Sequence, residues 1–255
     1  NNPILAYFSK PMYRFAVASR MQHANEEGDR YWLRLLGTAN PTEAQKNEVF
    51  YNPVVTTLIS GMDARSEDRP DSVMGTEGKE LSFAESRNDQ NILLFVNSLT
   101  GDIKFAPMPR RIIMADGKWL NESTWVAPYD DPDTKVIDEN NALPGVDKND
   151  PNAPLTNVRL RFEWLIGRPI DSVNLGGFYG FIHAVDALYP EGISMTSIAD
   201  LDYNYGDYNN PIIVSAFRTG KTYSMDGEEL LWYVRLRTGK GLLGNSHFGR
   251  SIRLA

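Results

Sequence analysis

Apolar positions along this chain follow two periods. Val54-Val55-Thr56-Thr57-Leu58-Ile59 is a continuous, β-branched run, and Asn91-Ile92-Leu93-Leu94-Phe95-Val96-Asn97 repeats it. Short runs without polar alternation predict strands buried on both faces. The first is predicted to end in a turn at Ser60-Gly61, and residues 64–90 read as polar and turn-rich. Leu99-Thr100-Gly101-Asp102 is a hairpin signal, with residues 103–107 as the partner strand. Further on, the apolar period lengthens. Over residues 155–166, Val158, Phe162, Leu165 and Ile166 share one helical face, and Gly167 with Pro169 marks the stop. Residues 178–188 place Phe178, Phe181, Ile182, Val185 and Leu188 on one stripe. Residues 224–236 turn Leu230, Leu231 and Val234 inward, with Ser224 or Asp226 as the cap. Short strands are predicted over 171–175 and 193–198. Strands alternating with helices predict a layered α/β arrangement.

The first fifty residues read as mostly helical, over 11–22 and 26–36, with Pro41-Thr42-Glu43 as a further helix start and Thr42 as its cap. No chemistry attaches to them. They are a packing appendage or the lead-in from a membrane anchor, set apart from a main domain over 51–255. Within that domain, residues 129–154 hold seven acidic and two basic residues among Asn and Pro. That composition predicts a surface insertion.

Composition narrows the function. The net charge of −7 disfavours a nucleic-acid partner, because the polyanion would be repelled before a local patch engaged. No apolar run is long enough to cross a membrane. The absence of cysteine excludes disulfides, thiolate metal sites and cysteine nucleophiles. With only His23, His183 and His247, a zinc site built on histidine is disfavoured. The chain begins at Asn1 rather than Met, which reads as a processed or trimmed piece with any leader or anchor upstream.

Local charge says more than the total. Between Arg235 and Ala255 there are five basic residues and no acidic one. Arg235 and Arg237 close a helix, where the dipole favours cations, so solvated charge is the plain reading. A second set marks the strand ends. Asp63 and Arg65 follow the first strand, Arg87 and Asp89 precede the second, and Arg110 and Arg111 follow the third. Arginine forks hold phosphate oxygens bidentately, and aspartates hold a hard divalent cation between them. Unrelated surface ion pairs are the alternative, and spacing alone favours it.

The order of these pieces resembles the LytR–CpsA–Psr family of bacterial cell-envelope proteins. TTLISGMDAR at 56–65 is similar to the family's first strand and its G-x-D-[SA]-R turn. RNDQNILLFV at 87–96 resembles the R-[ST]-D-T strand, and NSLTGDIKFAPMPR at 97–110 the hairpin ending in I-P-R-D. FYGFIHAVDAL at 178–188 and MDGEELLWYVRLR at 225–237 resemble two family helices, and HFGRSIR at 247–253 the last motif. The resemblance covers about residues 54–255 and leaves residues 1–50 outside.

The resemblance implies a three-layer α–β–α sandwich with a mixed central sheet, a hydrophobic lipid pocket and an arginine-rich mouth. It implies an extracytoplasmic, cell-envelope protein, membrane-anchored through an N-terminal helix outside this fragment. The implied activity is a phosphotransfer. A glycopolymer such as teichoic acid, capsular polysaccharide or arabinogalactan passes from a polyprenyl-pyrophosphate carrier to peptidoglycan, with Mg²⁺ at the pyrophosphate. Carried over by motif, Asp63 and Asp89 are the metal-side carboxylates and, with Arg65 and Arg237, the catalytic set. Arg87, Arg110, Arg235, Arg250 and Arg253 are the pyrophosphate-binding residues. The chain departs from the pattern at Gln90 for Thr, Arg111 for Asp, His247 for Asp and Leu254 for Gln, and Lys118 is the basic residue nearest the expected K-I-N lysine. These departures motivate two alternatives: a non-catalytic lipid- or glycan-binding envelope protein of the same fold, and a polyprenyl-pyrophosphate hydrolase. Asp186 reads as structural and His183 as a surface or capping residue. His247, beside arginines, suits a neutral role. Phe178, Phe181 and Ile182 read as core before lipid pocket. Tyr203, Tyr205 and Tyr208 read as a surface loop.

Overall fold

A computed structural model describes residues 3–63, 87–109, 112–115, 117–120, 143–144, 146–147, 149–204, 213–236 and 238–239, with backbone alone at residues 3–9, 203–204, 213–215 and 238–239 and at Asp63, Arg87, Asp89, Tyr179 and Arg235. Four strands, β1 (Val54–Asp63), β2 (Arg87–Asn97), β3 (Ile103–Met108) and β4 (Ser172–Gly176), form a sheet in the order β3-β2-β1-β4. β1 is antiparallel to β2 and parallel to β4, and β2 is antiparallel to β3. The sheet is therefore mixed, and the fold is α/β as the sequence predicts. Leu58, Leu93, Ala106 and Val173 share one face of the sheet. That face packs on Val158 and Phe162 of helix α4 (Ala153–Ile166), with Leu120 and Ile170 completing the core. Burying each such side chain fully stabilises by about 1.5–3 kcal/mol. Gly167 ends α4 in the left-handed conformation and donates its N–H to the Glu163 carbonyl, as the stop signal predicted.

A second core lies downstream. Helix α5 (Phe178–Leu188), strands β5 (Ile193–Thr196), β6 (Leu201–Asn204), β7 (Ile213–Phe217) and β8 (Thr222–Met225), helix α6 (Gly227–Arg235) and the two-residue β9 (Thr238–Gly239) follow in order. β5 pairs with β8, and β6 lies between β7 and β9. Leu201, Phe217, Met225, Leu231, Tyr233 and Val234 are buried together, and Phe178, Phe181 and Ile182 pack against them. The aromatic stripe of α5 is core, as expected. Asp186, read as structural, accepts the Gly227 N–H at 2.7 Å and so fixes the start of α6. Gly227 itself must be glycine, because a Cβ there would stand 2.4 Å from the Ile182 carbonyl oxygen.

The first fifty residues form α1 (Pro3–Glu27), α2 (Asp29–Leu36) and α3 (Glu43–Phe50). Thr42 caps α3 in a capping box with Gln45. These helices share buried charge with the sheet domain. The Arg20 guanidinium, 2% exposed, donates to both Asp171 oxygens at 2.7 Å and to the carbonyls of Val49, Phe50, Asn52 and Val54. The Thr56 N–H completes the Asp171 carboxylate at 2.8 Å. A second cluster joins α1, α2 and α4: Glu27 and Glu163 are both bonded to Arg34 and Arg159. Burial alone would raise the Glu27 carboxyl, but Arg159 and then Arg34 outweigh it and hold it below the usual carboxylate value. Burial, and then the Arg159 charge, lower the nearby His23.

Several expectations are corrected. Ser60-Gly61 is not a turn: β1 runs on to Asp63, because Gly61 admits the close approach of β2, with Gln90 Cβ 3.2 Å from where a Cβ would stand. Residues 87–90 belong to β2 rather than to a turn-rich lead-in. Ile59 is 42% exposed, so β1 is not buried on both faces throughout. Ser224 lies in β8, and Asp226 alone caps α6 through the Glu229 N–H. Ala153 and Pro154 belong to α4 and are buried. Asp171 precedes β4 rather than opening it.

Candidate active site

Of the charged residues at the strand ends, Asp63, Arg87 and Asp89 fall within the described backbone, and all three lie at one end of the sheet. Asp63 closes β1, and its register partner is Arg87, which opens β2. The ladder then slips by one residue. Met62 pairs with Asn88 and Gly61 with Gln90, so Asp89 has no partner across the strand pair. It is the extra residue of a β-bulge, a device that re-aims a side chain and increases local twist. β3 ends at Met108, opposite Asn91, so the chain leaves toward Arg110 from the same end. β4 ends there too, with Gly176 paired to Gly61, and Gly177 immediately starts α5. The N-terminus of that helix adds a positive dipole end beside the strand ends.

Beneath the bulge the buried face carries three polar side chains beside the fully buried Met62. Ser60, Asn88 and Asn91 are no more than 2% exposed. Ser60 Oγ donates to Asn91 Oδ1 at 2.7 Å, Asn88 Nδ2 donates to the same oxygen at 3.0 Å, and Asn91 Nδ2 donates to the Asn88 carbonyl at 2.9 Å. On the opposite face, Ile59, Ile103 and Phe105 are 42%, 39% and 59% exposed.

Of the nine residues carried by motif, the described backbone brings Asp63, Arg87 and Asp89 together. Arg235 is the last residue of α6, as predicted. Arg65, Arg110, Arg237, Arg250 and Arg253 lie outside the described residues, as do Arg111, His247, Leu254, Tyr205, Tyr208 and most of the acidic insertion. Tyr203 falls in β6 rather than in a loop. His183 is on the exposed side of α5, as expected. Among the described residues, no group of three or more acidic or histidine side chains could hold a metal ion. Sequence reasoning missed the Ser60–Asn88–Asn91 cluster. Its signal was polar residues at positions 60 and 91 within otherwise apolar runs. A cavity of about 260 Å³, lined by Arg20, Asn52, Gly167 and Arg168, lies at the other end of the sheet, away from these aspartates.

The chain is an α/β protein with Asp63, Arg87 and Asp89 on the backbone at one end of its mixed sheet. The LytR_cpsA_psr family model matches residues 20–253, so the chain belongs to that family. The match begins upstream of residue 54, taking in the last third of α1. No curated protein matches the sequence. Among solved structures, "TagT bound to LIIa-WTA" is 19% identical, with a TM-score of 0.45, covering 79% of this chain and 59% of that one. The Streptococcus agalactiae protein gbs0355 is 19% identical, with a TM-score of 0.48, covering 82% and 59%. B. subtilis TagV is 18% identical, with a TM-score of 0.43, covering 79% and 60%. The chain thus spans about three fifths of the length of the solved structures it matches. No helix among the described residues is long and apolar enough to cross a membrane.

Proposed function

We propose that this chain carries the catalytic domain of a cell-envelope glycopolymer transferase. It moves a polymer from a polyprenyl-pyrophosphate carrier to a peptidoglycan hydroxyl. The observation that carries the reading is the Asp63–Arg87 register pair beside the Asp89 bulge, at the sheet end where α5 begins, in a chain of this family. The exposed Ile59, Ile103 and Phe105 supply an apolar surface for a polyprenyl chain. The TagT structure is named as bound to LIIa-WTA, which supports a wall-polymer substrate class.

In this reading the acceptor oxygen attacks the phosphorus that bears the glycan. A new P–O bond forms, the bond to the bridging pyrophosphate oxygen breaks, and polyprenyl phosphate leaves. Arg87, with Arg65, Arg110, Arg235, Arg237, Arg250 and Arg253, neutralises the diphosphate so that the hydroxyl can approach. One of Asp63 and Asp89 accepts the hydroxyl proton. Both would hold Mg²⁺, which when bound supplies Lewis-acid charge neutralisation at the phosphoryl oxygens. A membrane anchor outside this chain keeps the site at the outer face, where carrier and peptidoglycan meet.

The test is product analysis on a polyprenyl-diphosphate-linked saccharide, with and without peptidoglycan. Transfer to peptidoglycan that Asp63→Ala and Arg237→Ala abolish is the expected result, and unchanged turnover in both removes the site. Release without transfer indicates a hydrolase. Tight lipid binding with no turnover under any metal indicates the non-catalytic relative, the outcome toward which Gln90, Arg111 and Leu254 point.

A further inference from the structure

We infer that Ser60, Asn88 and Asn91 form a positioning clasp that fixes the backbone of the bulge carrying Asp89. Asn88 and Asn91 bracket the two residues of the bulge, Asp89 and Gln90, and their side chains join beneath it on the face that α4 covers. Asn91 is the centre. Its amide oxygen accepts from Ser60 of β1 and from Asn88, while its amide nitrogen donates to the Asn88 carbonyl, the backbone oxygen of the peptide leading into Asp89. The bulge is thereby tied to β1 by a side chain and to itself by two more bonds.

Packing alone does not call for these residues. Two positions further into the sheet, the same face is filled by Leu58 and Leu93, both essentially unexposed. Three buried polar side chains are unfavourable unless fully bonded, and bonded they fix one geometry where apolar side chains would allow several. A bulge is where such fixing matters, because the ladder no longer sets the angle of the unpaired residue. Gly61 contributes from the other strand by letting Gln90 lie close against it. The clasp acts through Asp89 and touches no substrate.

The inference rests on the transferase reading for its chemistry, and its test separates the two. Mn²⁺ binding is measured by titration calorimetry in the presence of inorganic pyrophosphate, on the full chain and on Asp89→Ala, Asn91→Ala, Ser60→Ala and Ser60→Thr. Turnover of the polyprenyl-diphosphate saccharide is measured in parallel, and near-ultraviolet circular dichroism checks folding. Loss of a side chain that orients a metal ligand typically weakens affinity or activity by about 10–100-fold. Asn91→Ala and Ser60→Ala are expected to weaken Mn²⁺ binding and lower kcat by about tenfold or more, with KM for the donor within about twofold. Ser60→Thr, which keeps the hydroxyl, is expected to recover most of both losses relative to Ser60→Ala. If Asn91→Ala does not fold, Ser60→Ala, which removes one bond only, decides. Folded variants with unchanged Mn²⁺ affinity and kcat overturn the clasp, as does Mn²⁺ binding that ignores Asp89→Ala or is absent from the full chain. A chain that turns over nothing, yet binds Mn²⁺ through Asp89 and loses that binding in Asn91→Ala, drops the transferase reading and keeps the clasp.

Discussion

Where β1 begins and the chain enters β4, the charges of Arg20, Asp171, Arg34, Arg159 and Glu163 are buried and paired. Arg20 is saturated by Asp171 and four carbonyls, and Glu163 lies between Arg34 and Arg159. At the other end of β1, Asp63 and Arg87 stand at strand termini and Asp89 on a bulge, with a neutral hydrogen-bonded cluster underneath. The first end spends its ion pairs on joining α1–α3 to the sheet. The second has a neutral hydrogen-bonded cluster beneath Asp63, Arg87 and Asp89, the residues to which the proposed function gives the chemistry.

The largest expected effect breaks the first end. Arg20→Ala leaves Asp171 buried without its cation, and should lower the unfolding free energy by about 3–5 kcal/mol in urea titration. A loss below about 1 kcal/mol would show that this end is not the anchor its geometry describes. Next come Asp63→Ala and Asp89→Ala. Turnover should fall by about 10²-fold or more, while stability stays within about 1 kcal/mol. If these substitutions destabilise as Arg20→Ala does, the two ends do not differ in kind.

A smaller effect follows from pH. Glu27 is held below its usual value, so the stability it lends is complete above 4.5 and lost as pH falls through its folded value. His23, lowered by burial, is neutral in the folded chain. Its share is complete above 6.5 and erodes on acidification. The urea midpoint should therefore decline as pH falls below 6.5, and His23→Gln should flatten that part of the slope. Burial holds the Glu163 carboxyl above its usual value, so its share runs the opposite way, and Glu27→Gln should remove the loss that sets in below 4.5; a Glu27→Gln profile identical to the parent there counts against the Glu27–Arg34–Arg159 contacts as described. The smallest effect is at Tyr31, whose buried hydroxyl has no hydrogen-bond partner in the structure. Tyr31→Phe should be neutral or stabilising, within about 1 kcal/mol by calorimetric melting.

Local pattern made much of this legible. The apolar stripe over residues 178–188 predicts a helix, and α5 has those bounds, because a strong stripe and short loops leave little freedom. The Val158–Phe162 face of α4 and the Gly101 hairpin followed from the same rules. What stayed hidden depends on distance along the chain. Arg20 and Asp171 are 151 residues apart, and nothing near either names the other. The bulge was hidden for another reason. Gly61 looks like a turn residue, and only the partner strand shows that it is a point of close approach. β6, β7 and β9 are short, and their pairing is fixed by tertiary contacts rather than by period. At the site, motif order placed Asp63, Arg87 and Asp89 near one another, while the clasp beneath them needed coordinates.

The parallel pairing of β1 with β4 has a consequence for biogenesis. Thr57 meets Ser172 across 115 residues of intervening chain. During synthesis β1, β2 and β3 can zip into a meander well before β4 emerges, leaving one flank of β1 as an open template for a neighbouring nascent chain. A holding factor that masks this flank until the second half arrives would raise the yield of soluble protein, and at high expression without one, the truncated meander is the species that should precipitate first.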